Sequence, residues 1–276
     1  MDYVELMIPA GSAERAEILT AWLADFPFES FECDGDMLKA YIPQMRLADC
    51  KEQVDALLRE EQISGARYVS ICEQNWNALW ESNFDPVDVD GRIVIRAPFH
   101  APPAEGVTDV VIMPKMSFGT GHHATTYLMS AAVAEAGVEG LSGLDMGSGT
   151  GVLAIIAAKY GAEHVDAVDI DERADENCRE NIAANGAEER ITAICGDMSS
   201  VAGRKYDFIL ANINRNILLA DMPRYAAALN DGGRLFMSGI LEADIEAVAE
   251  CAGACGLVQS GLRIRDGWAM VECRKA

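Results

Sequence analysis

The segment with the clearest chemical potential is the glycine-rich stretch at 144–151, Leu-Asp-Met-Gly-Ser-Gly-Thr-Gly. An apolar run, Gly143–Met146, enters it, and a second apolar run begins at Val152, so the loop joins a predicted strand to a predicted helix. Glycines allow positive φ angles and a close approach of the backbone to a ligand. The helix N-terminus beyond the loop offers unpaired N–H groups to an anionic group. Together these features predict a cofactor site.

Two cofactor classes compete for this loop. A dinucleotide fingerprint reads G-x-G-x-x-G and lies against a pyrophosphate; Gly147 and Gly149 fit it, but Val152 occupies the third glycine position and Asp145 would lie near the pyrophosphate. Methyltransferases instead show D/E-x-G-x-G-x-G, because their cofactor carries a methionine ammonium as well as a carboxylate. Asp145, Gly147 and Gly149 match this second pattern. The predicted cofactor is therefore S-adenosyl-L-methionine.

Three positions beyond the loop support a nucleoside ligand. Asp169 lies 22 residues after Gly147, at the end of an apolar run, where a carboxylate can accept hydrogen bonds from both ribose hydroxyls. Because both dinucleotides and S-adenosylmethionine contain a ribose, this contact does not distinguish between the two cofactor classes. Asp197 and Met198 follow the next predicted strand, where methyltransferases hold the adenine.

Asn212 ends the fourth predicted strand of this region, within Leu-Ala-Asn-Ile-Asn at 210–214. In amine methyltransferases this position carries an Asp or Asn whose side-chain oxygen can accept a hydrogen bond from the target nitrogen. Asn212 is therefore predicted to position the acceptor amine. The alternative is a polar residue that merely caps the strand end.

Residues 118–126, Phe-Gly-Thr-Gly-His-His-Ala-Thr-Thr, form the second unusual stretch. Its glycines and threonines predict a backbone-rich loop over the ligand. Adjacent histidines point apart on an extended chain, so no metal site is predicted there. The alternative for Thr125 and Thr126 is a surface turn that caps the following helix.

Composition narrows the range of partners. The net charge is −22, which would repel a phosphate backbone; this argues against direct nucleic-acid binding and fits either a basic protein partner or simple solubility.

The eight cysteines form no CxxC pair, so buried reduced thiols are predicted rather than a zinc site. No apolar run approaches the ~20 residues that span a bilayer, and the N-terminus lacks a secretory pattern. We expect a cytoplasmic protein without membrane contact.

Two regions must position these residues. Residues 1–74 read as strand, helix, two strands, helix and strand, the βαββαβ order of a ferredoxin-like α+β domain. Its first helix is predicted to begin after Ser12, and this small domain is predicted to recognise the substrate. The apolar stripe of this first helix is predicted to comprise Ile18, Leu19, Trp22, Leu23 and Phe26. Residues 75–90 are predicted to be a linker, or a helix that packs its aromatic side chains on the larger domain.

Residues 91–276 alternate between strand and helix patterns, which predicts an α/β domain with a parallel sheet and helices on both faces. We expect a Rossmann-like, seven-stranded, mostly parallel sheet. The last two runs, 262–264 and 269–273, surround Asp266-Gly267 and predict an antiparallel hairpin at the sheet edge.

Three blocks of sequence resemble the ribosomal protein methyltransferase family called PrmA, whose members are class I methyltransferases and modify the eleventh protein of the large ribosomal subunit. They are Asn-Trp-Asn at 75–77 with Trp80, Glu81 and Phe84; the stretch 117–122 with Thr125 and Thr126; and the glycine loop with Ala-Asn-Ile at 211–213. The glycine loop is general to the superfamily, whereas the first two blocks are specific. The resemblance covers essentially the whole chain.

The resemblance implies trimethylation of substrate lysines and of an N-terminal amine by a catalytic domain joined through a linker to a recognition domain. It implies cofactor contacts at Thr126, Gly147, Asp169 and Asn212, with Phe118, Gly119 and Thr120 covering the cofactor. Lys115-Met116-Ser117, Met146 and Ser148 depart from the family pattern. We expect a monomer that acts on the ribosomal protein. Alternatives are another protein or RNA methyltransferase of this fold, a dinucleotide-dependent oxidoreductase, or a non-catalytic cofactor-binding module.

Overall fold

The computed structural model of the protein describes residues 3–71, 84–114 and 121–276. The chain divides into two compact units, Met1–Phe84 and Asp85–Ala276. Most of the predicted linker, including the residues of the first block of resemblance up to 83, lies outside the described residues. Its last part does not behave as a linker, because residues 87–89 form a strand of the second unit.

The first unit has the βαββαβ order expected from its sequence. Its elements are β1 (Tyr3–Pro9), α1 (Ala13–Leu23), β2 (Ser30–Asp34), β3 (Met37–Pro43), α2 (Gln44–Glu60) and β4 (Arg67–Ile71). The strands form an antiparallel sheet in the order β2-β3-β1-β4. Alternate residues of β1 and β3 are buried, so one face of this sheet meets the two helices around Leu6, Leu38 and Val54.

Helix α1 buries a narrower stripe than its sequence predicted. Ser12 caps the helix as expected, since its side chain accepts a hydrogen bond from the Arg15 N–H. Leu19 and Leu23 are buried, but the predicted stripe was wrong for Ile18 and Trp22, whose exposed fractions are 44% and 36%. The buried positions 16, 19 and 23 follow one line along the helix. Ile18 and Trp22 lie one residue, about 100°, away from that line.

The second unit begins with a small three-stranded sheet, β5 (Val87–Val89), β6 (Ile93–Arg96) and β7 (Thr108–Val111). Helix α3 (Ala124–Glu135) then leads into the large sheet. The remaining elements are β8 (Ser142–Met146), α4 (Val152–Lys159), β9 (His164–Asp169), α5 (Glu172–Ala184), β10 (Ile191–Cys195), β11 (Tyr206–Asn212), α6 (Arg215–Ala228), β12 (Leu229–Leu241), α7 (Ile245–Ala254), β13 (Leu257–Arg265) and β14 (Trp268–Lys275).

The large sheet has seven strands in the order β10-β9-β8-β11-β12-β14-β13. Strands β8 to β12 are mutually parallel, whereas β14 pairs antiparallel with β12 and β13, as the predicted terminal hairpin requires. The chain order reverses at β8, which lies between β9 and β11. In open α/β sheets such a switch point is where a ligand binds, at the carboxyl ends of the strands.

Each face of the large sheet carries its own apolar core. Leu128 of α3, Ile155 of α4 and Ile182 of α5 belong to one cluster, and Leu218 of α6 and Val248 of α7 belong to the other. Seven of the eight residues of α4 are buried, which explains the continuous apolar run after the glycine loop. None of the helices in the described part of the chain is long and apolar enough to cross a membrane.

The prediction that the cysteines are buried reduced thiols was partly wrong. The seven described cysteines are free, and Cys50, Cys178 and Cys273 are buried. Cys33 and Cys195 are exposed, because each lies on the edge strand of its sheet. Within residues 3–71, 84–114 and 121–276, no three His, Cys, Asp or Glu side chains are grouped so that they could hold a metal ion.

Candidate functional site

A cavity of about 460 Å³ opens at the carboxyl ends of the parallel strands in the second unit. Three of these strands contribute to it, since Gly147 follows β8, Asp169 ends β9 and Asn212 ends β11. Its walls are apolar for the most part, and none of the described residues that line it is a lysine or an arginine. The lining comprises His123, Thr125, Thr126, Gly147, Ser148, Gly149, Val152, Leu153, Asp169, Ile170, Asn212, Ile213, Asn214, Ile217, Gly239 and Trp268.

The glycine loop forms one wall of this cavity and is held against β9. Gly147, Gly149 and Gly151 all have positive φ angles, of 72°, 54° and 78°. The N–H of Gly147 donates to the Val168 carbonyl at 2.8 Å, which fixes the turn locally. A Cβ on Gly147 would lie 2.2 Å from Cγ2 of Ile213, so the loop has room there only for glycine.

Asp169 lies beside this loop and helps to shape it. Its two carboxylate oxygens accept hydrogen bonds from the N–H groups of Gly149, at 2.8 Å, and Asp171, at 3.0 Å. An ionised carboxylate offers about four acceptor positions, so two remain for a ligand in the cavity. That capacity is what two vicinal ribose hydroxyls require.

Thr126 lies in the first turn of α3 with an exposed fraction of 1%, and it lines the cavity. Its buried hydroxyl has no hydrogen-bond partner within the described residues. The alternative in which Thr125 and Thr126 cap the helix does not hold, because His123 is the N-cap. Its Nδ1 accepts the Thr125 N–H at 3.3 Å and lies 2.7 Å from the Thr125 hydroxyl oxygen.

Asn212 is half-buried at the end of β11 and pairs in register with Ser238 of β12. Its side-chain amide makes no hydrogen bond to any residue that the structure describes. Capping of the next helix falls to Asn214, whose Oδ1 accepts the Ile217 N–H at 3.2 Å. The amide of Asn212 is thus left to face the cavity that it lines.

Three residues predicted as cofactor contacts do not line the cavity. Asp145 is 1% exposed and accepts the Ala154 N–H at 3.0 Å, so it anchors the first turn of α4 beneath the glycine loop. Burial, together with the nearby charge of Asp169, raises the pKa of Asp145 to about 7. Asp197 caps a short 3₁₀ turn by accepting the Ser199 N–H at 2.8 Å, and Ser199 lowers its pKa.

Met198 is buried in the apolar core beneath that turn. Phe118, Gly119 and Thr120, which were predicted to cover the cofactor, lie outside the described residues. Of the predicted cofactor positions, the cavity therefore brings together Thr126, Gly147, Gly149, Asp169 and Asn212.

Sequence reasoning missed Gly239 and Trp268. Gly239 has a φ of 84° and lies where the pairing of β12 with β14 shifts register, between Met237 and Ile240. A Cβ there would approach the carbonyl oxygen of Ile213 to 2.3 Å. A glycine inside a strand pattern is the available sequence signal for such a bulge. Trp268 showed no signal, because it reads as an ordinary hairpin residue.

The residues at this cavity fit S-adenosylmethionine. Its volume suits a nucleoside-sized ligand, and the Thr126 hydroxyl lacks a hydrogen-bond partner among the described residues. A carboxylate at the end of β9 completes the donor and acceptor set. With the strand order β10-β9-β8-β11-β12-β14-β13, fold and site define a class I S-adenosylmethionine-dependent methyltransferase.

Comparison with known proteins narrows this class to a family. The profile of the family "Ribosomal protein L11 methyltransferase (PrmA)" matches residues 20–276. The chain is 42% identical over 262 residues to the ribosomal protein L11 methyltransferase of Porphyromonas gingivalis, covering 93% of this chain and 89% of that protein. It is 39% identical over 279 residues to that of Phocaeicola vulgatus, covering 99% of both. The chain therefore belongs to the ribosomal protein L11 methyltransferase (PrmA) family.

Two solved structures share the fold of this chain. The ribosomal protein L11 methylase from Lactobacillus delbrueckii subsp. bulgaricus superposes with a TM-score of 0.64 at 26% identity, covering 70% of this chain and 100% of that chain. A T. thermophilus 16S rRNA methyltransferase in complex with AdoMet and guanosine shares the fold, with a TM-score of 0.50 at 20% identity over 58% of this chain and 45% of that one.

Proposed function

We propose that this protein transfers methyl groups from S-adenosylmethionine to amino groups of ribosomal protein L11, on lysine side chains and at the N-terminus. Family membership indicates the substrate, and the observation that carries the chemistry is the amide of Asn212, unengaged by any described residue and lining the cavity. When bound, S-adenosylmethionine supplies an electrophilic methyl group on its sulfonium sulfur. The protein must then hold this donor and present a neutral, aligned amine to it.

The first requirement is to hold the donor. We assign this to the cofactor wall, which we define as Thr126, Gly147, Ser148, Gly149 and Asp169. Its two hydroxyls, on Thr126 and Ser148, and the carboxylate of Asp169 match a ligand that carries both an amino-acid head and a ribose. Hydrogen bonds from a ligand to a charged group such as Asp169 contribute about 1.5–3 kcal/mol each.

The second requirement is a neutral, aligned amine. A lysine with a pKa near 10.4 must lose its proton, which costs about 4.6 kcal/mol at pH 7. Burial in the apolar cavity lowers that cost, because desolvation disfavours the charged amine. We assign alignment to the acceptor wall, defined as His123, Asn212, Gly239 and Trp268, in which Asn212 accepts a hydrogen bond from the target nitrogen. Alignment of this kind can contribute several kcal/mol.

No residue of the acceptor wall is needed as a general base. His123 Nδ1 already accepts the Thr125 N–H, so protonation there would remove the cap of α3. Release of the lysine proton to water before the substrate is enclosed satisfies the reaction. We further propose that the enzyme acts as a cytoplasmic monomer and does not bind nucleic acid directly, as its net charge of −22 favours.

The test is incubation of the purified protein and L11 with isotopically labelled S-adenosylmethionine, followed by mass spectrometry of the intact substrate and its peptides. We expect mass increments of whole methyl groups on lysines and on the N-terminus. A ribosomal RNA fragment serves as the competing acceptor. Label in the RNA with none in L11 would refute the proposal.

We assign substrate recognition to the first unit, on its exposed apolar surface at Ile18 and Trp22 of α1. Beside these residues lie Glu14, Glu61 and one cation, Arg15, whose guanidinium donates to the Glu61 carbonyl at 2.8 Å. The two carboxylates suit a basic protein such as one that binds ribosomal RNA. The double substitution Ile18→Ser, Trp22→Ser should raise KM for L11 by about tenfold or more, as expected for an aromatic anchor, while kcat stays the same.

Met45→Ser is the matched control for this pair, because Met45 is an exposed apolar residue on the other helix of the same unit. Steady-state kinetics with L11 as the varied substrate checks the expectation. An unchanged KM in the double variant, or an equal rise in Met45→Ser, would contradict the assignment of this surface.

A further inference from the structure

One aromatic ring of the acceptor wall has no assigned role. Trp268 is the first residue of β14, directly after the turn at Asp266 and Gly267, whose φ angles are 52° and 77°. Because β14 runs antiparallel to β12, its first residue lies at the edge of the sheet where the parallel strands end. Trp268 thus lines the same cavity as Asn212.

The indole is fixed in place by contacts on two sides. Its ring centroid lies 4.6 Å from that of His123, in an edge arrangement with an interplanar angle of 70°. His123 is itself held as the N-cap of α3 by its hydrogen bond with Thr125. Trp268 also packs against the apolar cluster that includes Leu128 of α3. Trp268 is therefore a rigid, half-buried wall.

The charges around Trp268 distinguish it from Tyr127 and Phe236 of this unit. Arg265 lies over the ring of Tyr127 at 3.6 Å, and Arg234 lies over Phe236 at 5.4 Å. Arg265 is the cross-strand neighbour of Trp268, yet its guanidinium is directed to Tyr127. Within the described residues no lysine or arginine lies over Trp268, so its π face can accept a cation from a ligand.

We propose that Trp268 binds the positively charged amino group of the substrate, and above all the methylated ammonium that each round produces, through a cation–π contact. This inference rests on the proposed function. It makes Trp268 a residue that determines how many methyl groups are added before the substrate dissociates.

The reaction explains why such a contact is needed. In each transfer the lone pair of the amine nitrogen forms a bond to the methyl carbon, while the carbon–sulfur bond breaks and its electron pair stays on sulfur. The nitrogen becomes a methylated ammonium, which must release one proton to water before it can accept another methyl group. A cation–π surface retains the charged amine in the cavity during this interval and during exchange of the donor.

Two probes separate a cation–π contact from simple apolar packing. One is an Nα-acetyl-lysine amide with a trimethylated ε-nitrogen, and the other is its neutral isostere, in which carbon replaces that nitrogen. Both are titrated by NMR into the wild type, Trp268→Phe, Trp268→Leu and Phe99→Leu. Phe99 is an exposed aromatic residue of the same unit that does not line the cavity.

We expect Trp268→Leu to weaken binding of the cationic probe by about 3- to 30-fold, the range of a desolvated cation–π contact, and to leave the neutral isostere within about twofold. Trp268→Phe should retain an intermediate preference, and Phe99→Leu should match the wild type. An equal loss for both probes, or no loss for either, would overturn the proposal.

Product distributions add a second measurement. With L11 under multiple turnover, Trp268→Leu should accumulate mono- and dimethylated lysines at a donor consumption where the wild type has reached its final state. An identical distribution in both enzymes would also overturn the proposal. If the wild type fails to methylate L11, the proposed function fails, whereas the two-probe comparison still decides the role of Trp268.

Discussion

The two walls of the cavity are assembled in different ways. The cofactor wall is mostly one short segment after β8, shaped by hydrogen bonds to the adjoining strand β9. The acceptor wall collects residues from four separate places: the start of α3, the end of β11, the bulge of β12 and the start of β14. A substitution in the cofactor wall should therefore disturb the structure only locally. A substitution in the acceptor wall should disturb the sheet that brings its residues together.

Ile213 lies between these walls and contacts a glycine from each. A Cβ on Gly147 would meet the Ile213 side chain at 2.2 Å, whereas a Cβ on Gly239 would meet its backbone oxygen at 2.3 Å and its nitrogen at 3.0 Å. The Ile213 side chain can rotate away, but its backbone is held in place, because the Ile213 N–H donates to the Ser238 carbonyl at 3.2 Å. The same substitution should therefore have a different effect in each wall.

The largest expected effect is that of Gly239→Ala. We expect a loss of about 2–5 kcal/mol in the free energy of unfolding, from the positive φ and the backbone clash together, and severe loss of methyl transfer. Gly147→Ala should cost less, and Ile213→Ala in the same chain should restore part of that loss by removing Cγ2. The same second substitution should not rescue Gly239→Ala. Urea denaturation of the two single glycine variants, and of each combined with Ile213→Ala, measures these free energies of unfolding. Equal rescue of both glycine variants by Ile213→Ala would contradict the expectation.

Asn212→Ala should come next and should affect rate more than donor binding. A misplaced nitrogen loses alignment in the transition state, where an error of about 1 Å can cost about 100-fold, while the loss of a single contact weakens donor binding by about 0.5–1.5 kcal/mol. Single-turnover rates at saturating donor, alongside calorimetric titration of the donor, separate the two constants. Asn216→Ala, at an exposed position of α6, is the control. A normal saturated rate would place Asn212 in donor binding alone.

Asp169→Ala should affect donor binding more than the rate of methyl transfer, the opposite of Asn212→Ala. Loss of a charge-assisted hydrogen bond to the ribose corresponds to roughly 10- to 150-fold weaker donor binding, with a smaller change in the rate at saturating donor. Asp169→Asn keeps one acceptor oxygen and should fall between the wild type and the alanine variant. Calorimetry that finds the same donor affinity in all three proteins would remove Asp169 from the cofactor wall.

The smallest expected effect comes from Asp145, which supports the cofactor wall through α4. Because burial raises its folded pKa to about 7, above the ~3.9 of an unfolded chain, the folded state binds more protons between these values. Its contribution to stability is therefore present at low pH and is lost as pH rises toward and through 7.

Asp145→Asn cannot ionise, so its free energy of unfolding relative to the wild type should increase between pH 5 and pH 8, by about 1 kcal/mol or more. Thermal or urea unfolding of both proteins across this range provides the measurement. A difference between the two proteins that stays constant with pH would show that Asp145 is not the titrating group.

Prediction from sequence succeeded where structure depends on neighbours along the chain. The βαββαβ order of residues 1–74, the start of α1 after Ser12 and the hairpin at Asp266-Gly267 all agree with the structure. It failed for Ile18 and Trp22, because an apolar pattern does not say which of two adjacent faces the sheet covers. It also failed for the cap of α3, since histidine is not among the residues that usually cap helices.

By itself, the sequence determined the class of cofactor and most of the wall that we propose to hold it. The glycine loop and the carboxylate of Asp169 act through their own backbone and that of the next strand, so local pattern is sufficient. Only the tertiary structure decided the acceptor wall. Gly239 meets Ile213 because β12 pairs with β11, and Trp268 meets His123 because an antiparallel strand returns to the edge where the parallel strands end. Such contacts depend on strand order, which no local pattern encodes.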